Sequence, residues 1–227
     1  MLRNVLLLVM MLSPVAMSAQ GDVEYRMEVG AGAGLLSYEG DYNGSIFKGA
    51  QPMASVMVRR IINPYHGFRL DLGVGKLKGS SKNAETYYPG TQETPYEFSN
   101  TAVDLSATYE YNFWPYGTGR DYRGAKRLTP FIAIGLGLTF AKAKPDNVFT
   151  ANLPLGVGVK YKLADRLNLG VEWLVHFSLS DKLDGSPDPY SIKSSGLFKN
   201  TDCYSALQVS VTYSFMAKCR TCHNEDE

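Results

Sequence analysis

The 227-residue chain is 44% apolar and 20% charged, and its 23 basic side chains meet 22 acidic ones. So even a balance excludes the basic excess of a nucleic-acid binder, and the apolar and aromatic content excludes a disordered chain. Fifteen Tyr, ten Phe and 22 Gly against two Trp favour strands joined by tight turns, while three Cys are too few for a disulfide scaffold.

Met1-Leu2-Arg3-Asn4 is a short positive start, 5–12 is an unbroken apolar run, and small residues follow at Ala16, Ser18 and Ala19. This is the layout of a secretory signal peptide over 1–19, cleaved before Gln20. The apolar run is too short to cross roughly 30 Å of hydrocarbon as a helix. Removal of the 19 residues leaves an exported chain of 208 residues with equal numbers of acids and bases. Beyond it the longest apolar run is 131–134, so no segment predicts a membrane-spanning helix.

Eight stretches then alternate with the period of a strand. In 25–35, Tyr25, Met27, Val29 and Leu35 oppose Arg26, Glu28 and three glycines. The second, about 51–60, aligns Ala54, Val56 and Val58; the third, about 67–76, sets Phe68, Leu70, Leu72 and Val74 against Arg69 and Asp71. In 103–113, Val103, Leu105, Tyr109, Tyr111 and Phe113 alternate with Asp104, Ser106, Glu110 and Asn112. The second half continues through 132–140, 153–161 (opposed by Lys160 and Lys162), 167–177 (opposed by Glu172 and His176) and 207–215.

Asn63-Pro64-Tyr65-His66 and Ala164-Asp165-Arg166 are tight turns, whereas about 37–50, 77–97, 141–151 and 180–203 are long connections. Short turns at one end and long loops at the other predict an all-β fold, an eight-stranded antiparallel up-and-down barrel. The expected organisation is a signal peptide over 1–19, one barrel over 20–215 and a C-terminal tail over 216–227.

A soluble ligand-binding barrel solvates its outer face with charge. Here the less apolar face is mostly Gly, Ser, Thr and Asn, which suits the crowded lumen of eight strands. Its charges, Arg26, Glu28, Arg69, Asp71, Asp104, Glu110, Lys160, Lys162 and Glu172, have both signs and can pair in a lumen network that also takes in His176. Tyr25, Phe113, Trp114, Phe140, Tyr161, Phe177, Tyr213 and Phe215 lie near strand ends and suit two interfacial girdles about an apolar band of roughly 25 Å. The expectation is an integral outer-membrane barrel, a transmembrane β-barrel in outer-membrane lipid. Its short turns and tail from Met216 would be periplasmic and its long loops outside. A soluble secreted barrel or sandwich is the alternative.

The segments DLSATYEYNFWPY, RLTPFIAIGLGLTF and LPLGVGVKYKLADRLNLGVEWLVHFSLSDKLDG carry a resemblance. Their marks are Glu110, Asn112 and Phe113; Thr129, Pro130 and Phe131; Gly156, Gly158, Val159, Lys160 and Tyr161; Gly170, Glu172 and Trp173; and Ser180, Asp181, Leu183 and Asp184. Over about 25–215, and most specifically over 128–185, the chain resembles the PorG family, small outer-membrane barrels of the type IX secretion machinery in Bacteroidota. Gly185 stands where that pattern has a second acid. The resemblance implies no catalysis, no cofactor, and an anchor tying a periplasmic lipoprotein and its ring partner to the outer membrane.

Cys219-Arg220-Thr221-Cys222-His223 matches the C-x-x-C-H haem-attachment spacing, but no apolar pocket or second axial ligand accompanies it. It follows a strand rather than opening a helix, which disfavours a redox motif, and zinc would need further ligands. Cys203 begins the last strand, about 40 Å from its far end, so the tail thiols are separated from it across the membrane. The expectation is that Cys219 or Cys222 bridges to a periplasmic partner; a local ring or free thiols are the alternatives. Arg59, Arg60, Arg120, Arg123, Lys126, Arg127 and Arg166 give the periplasmic side a basic excess over Asp121 and Asp165. That excess reads either as ordinary flanking charge or as a docking face for an acidic partner. His176 and Ser178, on one face with Glu172, invite comparison with His-x-Ser lipid A hydrolases, although a packed polar network is the simpler reading. Two classes remain: an anchor in a secretion assembly, and a stand-alone OmpA/OmpX-like barrel that stabilises the envelope or displays adhesive loops.

Overall fold

The structure is a computed structural model and describes residues 25–39, 49–80, 97–117, 125–142, 147–179 and 203–217. Its strands are β1 (Tyr25–Glu39), β2 (Gln51–Asn63), β3 (His66–Ser80), β4 (Glu97–Asn112), β5 (Leu128–Lys142), β6 (Val148–Lys162), β7 (Leu167–Ser178) and β8 (Cys203–Ala217). Each pairs antiparallel with its neighbours in sequence, and β1 closes on β8 from Tyr25 opposite Ala217 to Glu39 opposite Cys203. Closure removes the exposed sheet edges that would otherwise present unpaired backbone. The β2–β3 turn is held by Asn63, whose Oδ1 accepts from the Tyr65 and His66 N–H groups, both at 2.9 Å.

Alternation sorts the side chains into two surfaces. Outside, Val56, Leu70, Ile134, Leu136, Val157 and Val209 stand at least 49% exposed, and Phe113, Trp114, Phe140, Tyr161 and Tyr213 lie toward the two rims. Water does not stabilise a continuous apolar wall; lipid does, and this is the exterior of a membrane barrel. Inside, Glu28, Arg59, Arg69, Asp71, Glu110, Lys160 and Glu172 are buried among Ser, Thr, Asn and Gln.

The strands run further toward the long-loop end than apolar alternation indicates. On β1 and β8 the residues Leu36, Ser37, Tyr38, Tyr204, Ser205 and Ala206 are all buried, so both faces are covered and the period-two signal disappears. On β3 and β4 the sense of alternation inverts: Leu77, Phe98 and Ala102 point inward while Lys76, Lys78, Ser99 and Thr101 are exposed. A wall that has left lipid faces water outside and packs apolar groups inside. Leu36, Tyr38, Leu77, Phe98, Ala141, Tyr204 and Ala206 form a buried apolar cluster there, with Tyr38 and Phe98 edge-to-face at 5.0 Å. The expected long connection over 141–151 is correspondingly short, between Lys142 and Val148. At the opposite end β8 pairs through Ala217, so Met216 and Ala217 of the expected tail belong to the barrel.

Close packing of the lumen depends on glycine at particular positions. A Cβ on Gly158 would lie 2.6 Å from two carbons of the Phe131 ring and 2.7 Å from the Val171 carbonyl oxygen, whereas at Gly73 its nearest neighbour would be Met53 Cε at 3.7 Å. Gly158→Leu is therefore expected to destabilise the folded barrel by about 1–3 kcal/mol in chemical unfolding from lipid vesicles, with Gly73→Ala within about 0.5 kcal/mol of wild type. Equal midpoints for the two variants would contradict this packing.

Candidate functional site

Strand parity sends one carboxylate from β4 into the centre of the lumen, and cations from three other strands meet it. Lys160 Nζ on β6 donates to Glu110 Oε2 at 2.6 Å, Arg59 Nη2 on β2 to Glu110 Oε1 at 3.2 Å, and Arg69 Nη1 on β3 lies 3.1 Å from Glu110 Oε1. Glu28 on β1 takes Arg59 Nη1 at 2.5 Å, and Glu172 on β7 takes Arg69 Nη1 at 2.5 Å. Gln208 on β8 donates to Glu172 and accepts from Ser55 Oγ at 2.8 Å. Thr212 Oγ1 donates to Glu28 at 3.2 Å, and the Phe131 ring lies under Lys160 Nζ at 4.3 Å. Three cations against three carboxylates make this layer formally neutral.

Toward the long-loop end the chemistry changes. Asp104 Oδ2 accepts from Asn152 Nδ2 at 2.6 Å, Tyr204 Oη at 2.8 Å and Thr139 Oγ1 at 3.1 Å. His176 stacks on Tyr204 with ring centres 4.5 Å apart, and its Nδ1 is 3.3 Å from Asn152 Oδ1 and 3.7 Å from Asp104 Oδ1. Asp71 and His176 both line a cavity of about 30 Å³, room for roughly two waters, and Asp71 Oδ2 has no hydrogen-bond partner among the described residues. Ser178 Oγ lies 3.4 Å from Thr150 Oγ1, so His176 and Ser178 are each engaged with other groups in place of a nucleophile–base pair.

At the short-turn end the described residues that follow β4, 113–117, fold over the mouth. Tyr116 N–H donates to the Pro64 carbonyl at 3.1 Å, and its buried hydroxyl donates to Asn168 Oδ1 at 3.1 Å. Burial, aided by the Glu28 carboxylate, holds this phenol above its ordinary pKa range, so it remains a donor. Lys162 Nζ closes the same corner on the Gly117 carbonyl at 3.0 Å.

Two expectations about charge placement are corrected. Arg26 has lumen parity but is exposed, because it sits at the start of β1 where water reaches the barrel mouth; among the described residues it takes no part in the network. Arg59, expected on the basic turn surface, is buried in the lumen; Ser55 and Met57 share its parity and are buried too, and that shared register is the sequence signal for its placement. Lys126, Arg127 and Arg166 are exposed at the short-turn end, and Arg60 is exposed on the outer wall. Arg120, Arg123, Cys219 and Cys222 lie outside the described residues.

The barrel is similar to Neisserial surface protein A, at 16% identity and a TM-score of 0.50, over 83% of this chain and 97% of that one. It is also similar to Ail, the attachment invasion locus protein of Yersinia pestis, at 9% identity and a TM-score of 0.49 over 85% of this chain and all of that one. A third is OprG from Pseudomonas aeruginosa, at 11% identity and a TM-score of 0.46 over 88% and 100%. What Neisserial surface protein A shares with this chain is the barrel fold. No curated protein matches it. One family model, described as a domain of unknown function (DUF6089), matches residues 2–224.

The two lumen layers predict opposite responses to neutralisation. Glu110→Gln leaves three buried cations short of a carboxylate and is expected to cost about 3–5 kcal/mol in urea unfolding from vesicles. Asp71→Asn removes a buried charge with an unpartnered oxygen and is expected to be neutral or stabilising by about 1 kcal/mol. Similar losses in both variants would show that pairing does not govern the lumen.

Proposed function

This chain belongs to the family described as a domain of unknown function, DUF6089, and from that premise we propose that it is a non-catalytic outer-membrane barrel that anchors a periplasmic ring of type IX protein secretion. The observation that carries this reading is the filled lumen. Between the Tyr116 closure and the apolar cluster at the other end, paired side chains occupy the barrel, and the cavity in the upper layer, about 30 Å³, has room for roughly two waters. A barrel whose described interior is filled in this way acts through its ends. The sequence resemblance to the PorG family names the assembly. In this reading the short-turn end is periplasmic, and Lys126 and Arg127, with Arg120 and Arg123 of the same connection, meet an acidic face of the ring lipoprotein or its partner. Cys219 or Cys222 forms a disulfide with that partner in an oxidising periplasm.

One observation favours a stand-alone OmpA/OmpX-like barrel: β3 and β4 continue past the lipid belt to Ser80 and Glu97 with a polar outer face, as a barrel displaying loops would need. Affinity purification from gently solubilised envelopes separates the two. The anchor reading expects a co-purifying periplasmic complex, weakened about tenfold by Lys126→Glu with Arg127→Glu. It also expects a non-reducing gel band that Cys219→Ser with Cys222→Ser abolishes. A lone barrel from wild-type envelopes would favour display.

A further inference from the structure

The outer wall carries a polar construction that neither the lumen network nor the proposed docking face uses. Arg166, in the β6–β7 turn, donates Nε–H to the Tyr25 hydroxyl and Nη1–H to the Tyr213 hydroxyl, both at 3.2 Å. Its guanidinium also lies 5.4 Å from the centre of the Tyr25 ring. Tyr25 opens β1 and Tyr213 is on β8, so the three groups span the seam where the first and last strands meet. The turn beneath is fixed by backbone: Ser214 N–H donates to the Arg166 carbonyl at 2.7 Å, and Leu163 N–H to the Leu167 carbonyl at 2.9 Å.

The donor arithmetic of this cluster is one-sided. Each phenol oxygen accepts from the guanidinium, which leaves its own proton to be donated elsewhere, and Arg166 Nη2 takes part in neither bond. Two of the five guanidinium N–H groups are used, so three N–H and two phenol O–H remain to be donated around one positive charge, with Arg166 and Tyr213 exposed. Holding the guanidinium between phenols from two strands removes much of the rotamer freedom that a surface arginine would otherwise lose on binding. A planar fork flanked by O–H donors recognises a phosphate oxygen. Asp165, exposed beside Arg166, reduces the net field of the turn, so recognition there depends on directed donors more than on bulk charge.

Position selects the source of the phosphate. Tyr213 follows Val209 and Val211 of the apolar belt at its short-turn margin, where headgroups lie, and Leu163 and Leu167 are exposed on the same turn. We propose that Arg166, Tyr25 and Tyr213 form a binding site for the phosphate of a membrane phospholipid in the leaflet at the short-turn end. The inference rests on the membrane placement of the belt and is independent of any secretion partner.

The test is native mass spectrometry of the purified full-length barrel in detergent, titrated with short-chain phosphatidylglycerol, with the matching diacylglycerol and with inorganic phosphate. One tightly held phosphatidylglycerol is expected, with diacylglycerol and inorganic phosphate far weaker. Tyr25→Phe with Tyr213→Phe keeps both rings and removes both donors, and should weaken binding about tenfold or more, as should Arg166→Ala. Arg60→Ala removes an exposed wall cation outside the cluster and should leave binding unchanged. Wild-type affinity in the double Phe variant, an equal loss in Arg60→Ala, or equal binding of inorganic phosphate would each overturn the proposal.

Discussion

Glu110 accepts charge from Arg59, Arg69 and Lys160 in a space from which bulk water is excluded, and the rest of the lumen is arranged around that fact. A single carboxylate cannot neutralise three cations, so Glu28 and Glu172 complete the layer from β1 and β7; Gln208 of β8 donates to the remaining oxygen of Glu172, and Asn168 of β7 with Ser214 of β8 to that of Glu28. Seven strands thus meet in one network, and β5 adds Phe131 beneath Lys160. Such pairs add little stability over a well-packed apolar core, because desolvation offsets most of their attraction. Their consequence is register. Sliding any one strand by a residue would turn its charge into lipid and its apolar row into the lumen, so the network penalises every slip by several kcal/mol.

The same constraint explains the gradient along the axis. Charges concentrate in the half nearer the short turns, a small set of hydrogen bonds around Asp104 follows, and apolar side chains close the long-loop end. Asp71 lies at the boundary, with a carboxylate oxygen facing a cavity instead of a partner. Pro154 interrupts the β5–β6 ladder between Ile134 opposite Leu155 and Gly137 opposite Asn152, since it has no N–H to donate. Asn152 next to that gap supplies side-chain bonds to Asp104, Thr139 and Tyr204. The local loss of backbone pairing coincides with the densest side-chain bonding of the upper lumen.

Alternation alone makes the eight strands, their order and the identity of most lumen charges legible in the amino-acid sequence, because lipid outside and a polar interior give period two its full contrast. It fails where that contrast fails. Both faces of β1 and β8 are covered near Tyr38 and Tyr204, and on β3 and β4 the pattern inverts at Leu77 and Phe98, so these strand ends carry the sequence signature of loops. Parity also reports a face and says nothing of depth. Arg26 and Glu28 share a parity, yet two residues along the strand separate the solvated mouth from the buried network. For Arg59, nearness to a turn points the wrong way, and register with Ser55 is the better guide. The seat of Tyr116 has no periodic signal at all, since a single side chain folded back from a connection leaves none.

A barrel filled in this way limits what its chemistry can be. His176 has a carboxylate and an amide for neighbours, but both serve the hydrogen-bond system of Asp104 and Tyr204, and Ser178 bonds to Thr150, so these polar groups support one another instead of facing a substrate. Under the anchor reading the surfaces that act are the rims. They differ in kind: the long-loop rim is apolar within and polar without, while the short-turn rim is capped by backbone and by Tyr116 and carries exposed Lys126, Arg127 and Arg166. Under the anchor reading, exposed basic side chains at a rim beside lipid headgroups suit attachment of an acidic partner.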